Sequence, residues 1–274
     1  MRTIEEHKAA VSPIAPWLGG KRMLAKRICS IIDNDRDHST YAEPFVGMGG
    51  IFLRRKRPAK SEFINDKTQD VHNLFRILQE HYVPFVEYMK WKITTQAEFE
   101  RLNQMDPALM TDIQRAARFI YLQRLCFGGK VSGRSFGIAT ERPARFDFTQ
   151  LQPMLEDLHA RLTGVTVMNM DWSAFIDRID RKSVLFYLDP PYFGHENDYG
   201  KDLFGRDQFE KMADQLSRLK GRFILSLNDR PEVREIFSAF EVQAVKTTYT
   251  AGSHTGQGKK VGELLISNWK LPKA

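Results

Sequence analysis

Residues 184–192 read VLFYLDPPY, and this stretch narrows the possible folds more than any other. Five consecutive apolar residues describe a buried strand, and the carboxylate and two prolines that follow at once describe where it stops. Proline has no N–H to give to a sheet ladder, so the chain must leave the sheet after Leu188. Such a strand requires neighbouring strands and covering helices, and the remaining sequence contains both. Tyr41 to Val46 and Glu62 to Ile64 read as short strands. Val165 to Met168, Phe223 to Leu227, Phe240 to Val245 and Val261 to Ile266 read as further ones. Met23, Leu24, Ile28, Ile31 and Ile32 recur at helical spacing over Lys21 to Ile32, just after Gly19-Gly20. Val71, Leu74, Phe75 and Leu78 share one face of a second helix over Lys67 to Glu80. The alternation predicts an α/β sandwich with a mostly parallel sheet.

Between about Tyr82 and Arg145 the rhythm changes to helix-like stretches and a Gly-rich, hairpin-like FGGKVSGRSFG, with no clear buried strand. This predicts an insertion, residues 81–147, into a domain made of residues 1–80 and 148–274. The 274 residues are ample for such a core, and 42% hydrophobic with 27% charged residues is an ordinary globular balance. The net charge of +7 and pI near 9.3 favour a polyanionic partner. Much of that charge lies in the insertion: Arg115, Arg118, Arg124, Lys130, Arg134, Arg142 and Arg145 face only Asp112 and Glu141 between residues 112 and 145. Cys29 and Cys126 sit in apolar stretches, which suggests neither a disulfide framework nor a cysteine zinc site and suits a reducing cytoplasm. The segment MRTIEEHKAA lacks a signal-peptide apolar region, and no window of about 18 uncharged apolar residues occurs, so neither secretion nor membrane spanning is expected.

Several motifs bear on chemistry. YAEPFVGMGGIF puts small residues at a strand exit, where a backbone turns sharply and a ligand can approach. It matches a dinucleotide fingerprint only in part, because Phe52 stands where the third small residue belongs, so it suits a nucleoside without a pyrophosphate, or a plain tight turn. Asp66 follows Gly47 by 19 residues, at the end of the second strand, where a carboxylate accepts ribose hydroxyls or caps the next helix. Gly19-Gly20-Lys21 lacks the spacing of a triphosphate-binding loop. GRSFG, at Gly133 to Gly137, lacks the strand and helix that a hydrolase elbow around Ser135 needs. His195-Glu196 has Tyr199 where a second zinc ligand would stand, so no metal site is expected. In DPPY, the Asp189 carboxylate can accept a hydrogen bond from an amine, Pro190 brings no competing N–H, and the Tyr192 ring is a flat stacking surface. Together they suit a planar amine such as a nucleobase; the plainer alternative is a proline-rich strand stop.

The chain resembles the Dam-type S-adenosylmethionine-dependent DNA adenine methyltransferases, through PWLGGK, EPFVGMGGIF, the IND around Asp66, YLQRLCFGG, DPPY, FILSLND and VGELLISN, in that order from Trp17 to Asn268. The resemblance implies a Rossmann-like methyltransferase sheet with a mainly helical target-recognition segment inserted before DPPY. It implies that Trp17, Lys21, Asp66 and Asp189 meet the methyl donor or its surroundings, that Glu43, Phe45, Gly47 and Gly49 shape the same pocket, and that Asp171 meets the donor's adenine. The plainer readings are a core anchor for Trp17 and a surface charge for Lys21. Two residues depart from the family: Gln123 replaces an Asn before the Arg of YLQRLCF, and Gly128 replaces an Asn after Phe127. The hairpin is also shorter than in GATC-specific members, so an altered or relaxed recognition sequence is expected.

The expected reaction is methyl transfer from S-adenosylmethionine to the exocyclic amine of an adenine rotated out of double-stranded DNA, with Asp189 and the Pro190 carbonyl binding the amine and Tyr192 stacking through its ring. Arg115, Arg118, Arg124, Lys130 and Arg134 are the expected DNA contacts. On a helical wheel for Asp112 to Phe127, Arg115 and Arg118 fall on the polar face. Arg124 falls among Ile113, Ala117 and Ile120, either paired internally or projecting with the hairpin into DNA. The chain is expected to act as a cytoplasmic monomer. The rival readings are a methyltransferase for RNA or other nucleobases and a non-catalytic DNA-binding relative.

Overall fold

The computed structural model describes residues 10–17, 19–138, 140, 141, 143–194, 204–249 and 259–272. The amino-terminal segment, Arg142 and the His195-Glu196-Tyr199 pattern discussed above lie outside the described residues. Seven strands form one sheet: β1 (Thr40–Glu43), β2 (Ser61–Asn65), β3 (Val165–Met168), β4 (Val184–Leu188), β5 (Arg222–Asn228), β6 (Glu241–Tyr249) and β7 (Lys259–Ser267). Their order is β3-β2-β1-β4-β5-β7-β6. The first five strands run parallel, while β7 pairs antiparallel with both β5 and β6. The expected mostly parallel sheet is present, and β4 lies near its middle, all five residues buried.

Nine helices accompany the sheet among the described residues: α1 (Arg22–Asn34), α2 (Gln69–Glu80), α3 (Tyr82–Met89), α4 (Gln96–Gln104), α5 (Asp112–Leu125), α6 (Phe148–Leu162), α7 (Trp172–Ile179), α8 (Asp207–Ser217) and α9 (Pro231–Ile236). Strand alternation divides the core in two. Leu185 and Tyr187 of β4 face a cluster built from α1, α2, α5 and α6. Val184, Phe186 and Leu188 face the other cluster, with α7, α8 and α9. This doubly wound, Rossmann-like arrangement places the carboxyl ends of β1, β2 and β4 side by side, where α/β sheets bind ligands.

The inserted segment contributes α3, α4 and α5, and no named strand among the described residues; Cys126 and Phe136 form a single antiparallel bridge that closes the hairpin. Phe85, Phe99, Leu102 and Phe119 of these helices belong to the same apolar cluster as Leu74 of α2 and Leu155 of α6. The insertion therefore shares the core of the sheet domain. Gly133–Gly137 lies in that hairpin, away from any strand-to-helix turn.

Candidate active site

The carboxyl ends of β1, β2 and β4 open on a cavity of about 580 Å³. Trp17, Lys21, Glu43, Phe45, Gly47, Asp66 and Asp189 all line it, residues brought together from four separate sequence motifs. Gly49 and Asp171, also expected here, are not among the lining residues. Pro190 is buried, and Pro191 is among the lining residues.

The turn after β1 is shaped by Asp66 and Trp17. Asp66 Oδ2 accepts the Gly47 N–H at 2.9 Å and Oδ1 accepts the Thr68 N–H at 2.8 Å, so the carboxylate joins the β1 turn to the entry of α2. Thr68 is the N-cap residue of that helix, so Asp66 serves its entry and also faces the cavity. Burial raises the Asp66 pKa, against the pull of the two N–H groups. Gly47 has φ +48°, and a Cβ there would stand 2.6 Å from Trp17 Nε1. The turn therefore requires glycine for both conformation and space. Phe45 packs against Trp172 and Phe204 at centroid distances of 6.3 and 5.8 Å, and Phe45 and Phe204 give the cavity aromatic surface.

Where β4 ends, the charges concentrate. Lys21 Nζ lies 2.8 Å from Asp189 Oδ1, 2.8 Å from Glu263 Oε1 and 2.6 Å from the Tyr192 hydroxyl, to which it donates. Tyr192 in turn donates to Glu263. Lys21 is 3% exposed, which rules out the surface-charge reading. Burial pushes the Asp189 carboxyl up to about 6, with the Lys21 ammonium opposing that rise and Glu263 adding to it. Glu43, buried and beside Tyr41, is pushed up to about 8 by burial. The Tyr192 ring has the Lys21 ammonium 4.1 Å from its centre. Its hydroxyl belongs to the charged cluster, a contact the sequence-based reading of Tyr192 as a stacking surface did not include.

Other expected residues are committed elsewhere. Strand β3 ends at Met168, and Asp171 is the N-cap of α7, its Oδ1 accepting the Ser173 N–H at 3.0 Å. Arg118 does not lie on a polar face: it is 6% exposed and donates through Nε to the Leu102 carbonyl at 2.6 Å, near the carboxyl end of α4. Arg124 donates to the Arg145 carbonyl at 2.8 Å and to the Ile14 carbonyl, the internally paired alternative. Arg115 pairs with Asp70 at 3.2 Å, and Arg134 is half-buried with a guanidinium 5.9 Å from the Phe119 ring. Lys130 alone of the five expected DNA contacts is exposed. Gln123 is fully buried and donates to the carbonyls of Pro16 and Gly129 at 2.9 and 2.7 Å, so it anchors two loops. Gly128 has φ +70°, a conformation that glycine and asparagine both tolerate, which accounts for that exchange without invoking DNA.

Three residues of the site were quoted within motifs but given no role from sequence. Glu263 is an acid inside the apolar run GELLI, Ser226 donates to Asp189 Oδ1 at 3.1 Å, and Asn228 clamps both backbone groups of Phe193 at 3.0 and 2.9 Å. The available signal was polarity inside otherwise apolar strands, since a buried charge needs a partner.

The sheet and the placement of DPPY define the class, a Rossmann-like methyltransferase. The chain belongs to the D12 class N6 adenine-specific DNA methyltransferases, whose family model matches residues 17–251. The type II methyltransferase M1.LlaDCHI of Lactococcus lactis subsp. cremoris is 24% identical over 98% of this chain and 99% of its own length. The type II methyltransferase M.CviBI of Paramecium bursaria Chlorella virus NC1A is 22% identical over 94% of this chain and 100% of its own. The DNA N-6-adenine-methyltransferase of Escherichia phage P1 is 26% identical over 84% of this chain but 32% of its own length. The protein is thus a DNA adenine-N6 methyltransferase with S-adenosylmethionine as methyl donor. No helix among the described residues is long and apolar enough to cross a membrane.

Proposed function

We propose that the 580 Å³ cavity holds S-adenosylmethionine, and that Asp189 with the Pro190 carbonyl binds the amine of an adenine rotated out of duplex DNA. The observation that carries this reading is the Asp189 carboxylate standing in the wall of the same cavity as Trp17, Gly47 and Asp66. The residues present fit such a donor: a Cβ at Gly47 would close the cradle against Trp17, Asp66 offers a carboxylate to ribose hydroxyls, and Phe45 with Phe204 offers aromatic surface to a base. Bound there, S-adenosylmethionine supplies an electrophilic methyl group on a sulfonium leaving group.

The protein's own work is on the amine. An exocyclic adenine amine is a weak nucleophile because its lone pair is delocalised into the ring. Hydrogen bonds to an anionic Asp189 and to a carbonyl orient it and draw its lone pair toward the electrophile, a combination of positioning and electrostatic stabilisation. The carboxylate must be ionised to do this, so the reaction gains rate as pH rises through about 6. Extrusion of the base costs a few kcal/mol of stacking, which contacts to phosphates offset. One chain holds both the donor cavity and the acceptor groups, which supports action as a monomer. The two buried, unpaired cysteines suit the cytoplasm. We assign target recognition to residues 81–147, with an altered or relaxed site choice that rests on the shortened hairpin around Lys130.

Asp189→Ala tests the reading. Methyl transfer should fall below detection while binding of duplex DNA stays within about threefold, because the carboxylate acts on the amine and not on phosphates. Full activity of the purified variant would sink the assignment.

A further inference from the structure

Lys21 occupies a place that needs explanation. It is the N-cap residue of α1, where the helix dipole disfavours a cation, and it is almost wholly buried. What holds it is acidic: Asp189 Oδ1 and Glu263 Oε1, each 2.8 Å from Nζ, with the Tyr192 hydroxyl at 2.6 Å. Ser226 Oγ, 3.1 Å away, donates to Asp189 Oδ1 as well. Both contacts to the Asp189 carboxylate among the described residues fall on the same oxygen, which leaves Oδ2 for the cavity.

Glu263 is fixed more firmly than a loop residue. It pairs with Asn228 of β5 on one side and Val245 of β6 on the other, inside the sheet, and is 1% exposed. Its position against Lys21 is therefore set by two strand ladders.

We propose that Lys21 and Glu263 are positioning residues for methyl transfer: Glu263 holds the Lys21 ammonium on Asp189 Oδ1, and this grip turns Oδ2 toward the incoming adenine amine. The proposal rests on the reading of Asp189 as the acceptor of that amine. It assigns the pair opposite electrostatic effects on one carboxylate, since a nearby cation favours the ionised form and a nearby anion disfavours it. The other groups around Asp189 are Glu43 from β1, Tyr187 from β4 itself, Ser226 from β5, and Tyr192. Glu43 is pushed up to about 8, above the range in which Asp189 changes charge.

The test is the pH dependence of single-turnover methylation, with labelled S-adenosylmethionine and unmethylated bacterial genomic DNA. In the wild type the acid limb lies near pH 6. In Lys21→Met it should move up by about 1–3 pH units, as for a carboxylate losing an adjacent cation. In Glu263→Gln, whose amide oxygen still accepts from Lys21 Nζ but carries no charge, it should move down, and the double variant should fall between the two. Limbs that stay in place, or that move in the same direction in both single variants, overturn the proposal. A purely structural role would lower the rate without opposed shifts. Circular dichroism and thermal melting report whether each variant is folded. If Lys21→Met fails to fold, Glu263→Gln decides: a downward limb supports the pair and an unmoved one overturns it. A fully active Asp189→Asn would remove the underlying reading of Asp189, whereas an inactive Asp189→Asn with unmoved limbs in the other variants would remove only the positioning role.

Discussion

Replacing Gly47 by alanine adds one methyl group at the point where the donor cavity is tightest. The built Cβ would stand 2.6 Å from Trp17 Nε1, 3.0 Å from Cε2 and 3.1 Å from Cδ1, whereas ordinary contacts begin at 3.4 Å. The indole must therefore retreat by about 0.8 Å, and it has an edge-on neighbour in Phe119 at 6.3 Å. The backbone adds its own cost: at φ +48° an L-residue gives up about 1–2 kcal/mol relative to glycine. Two losses follow. Stability should fall by that amount, a decrease in Tm of roughly 2–8 °C for a chain of this size. Donor affinity should fall about tenfold, or 1.4 kcal/mol, because the displaced indole is part of the cavity wall. Gly164→Ala is the control: at φ +80° it carries the same backbone cost, its Cβ would meet nothing within 4 Å and it does not line the cavity, so it should lower Tm but leave donor affinity unchanged. Differential scanning calorimetry and titration of S-adenosylmethionine measure the two effects separately. A Gly47→Ala variant with wild-type donor affinity would refute the placement of the donor against Trp17, whatever happened to its Tm.

Three further outcomes are expected. Asp66→Ala should weaken donor binding by about 1.5–3 kcal/mol, while Asp66→Asn, which keeps an oxygen for the Thr68 N–H, should lose donor affinity with less loss of Tm; equal donor affinity in all three proteins would leave Asp66 a structural residue only. Tyr192→Phe should slow turnover about tenfold, since the hydroxyl that links Lys21 to Glu263 is lost; wild-type turnover would show that the ring alone matters. Arg124→Ala should cost about 1.5–3 kcal/mol of stability through its two carbonyl contacts and leave the methylated sites unchanged, whereas Lys130→Ala should lower the salt slope of DNA binding by about 1. A changed site profile in Arg124→Ala, mapped by sequencing a methylated random duplex library, would return that arginine to recognition.

The parts of this molecule that could be read from sequence are those in which one local pattern has one structural solution. VLFYL is apolar throughout because both of its faces are covered, and its bounds match those of β4. The helical wheel of Asp112–Phe127 misled for an equally physical reason. Helix α5 carries buried residues nearly all round, from Ala116 to Gln123, because α2, α3 and α4 enclose it. A helix without a solvent face has no polar face for Arg118 to occupy, so the guanidinium is satisfied by carbonyls at the end of α4. Lys21 and Asp189 could be placed near the donor by resemblance, but not how Lys21 is held, because its partners come from the ends of β4 and β5 and the body of β7, and Tyr192 stands 171 positions from it.

The place of Glu263 among those partners follows from the one reversed strand. A parallel strand brings only its final residues to the carboxyl edge of the sheet, and the groups it offers there stand on the loop beyond, as Asp66 and Asp189 do. Strand β7 runs the other way, so its first half lies at that edge while still paired on both sides. An acid there is held by the sheet instead of by a loop. Glu263 can therefore grip Lys21 while the turns that carry Asp66, Asp189 and Tyr192 adjust to a donor and a base. A charged group with no direct part in the chemistry is best placed in the stiffest part of the site, since any error in its position passes to the carboxylate that meets the amine.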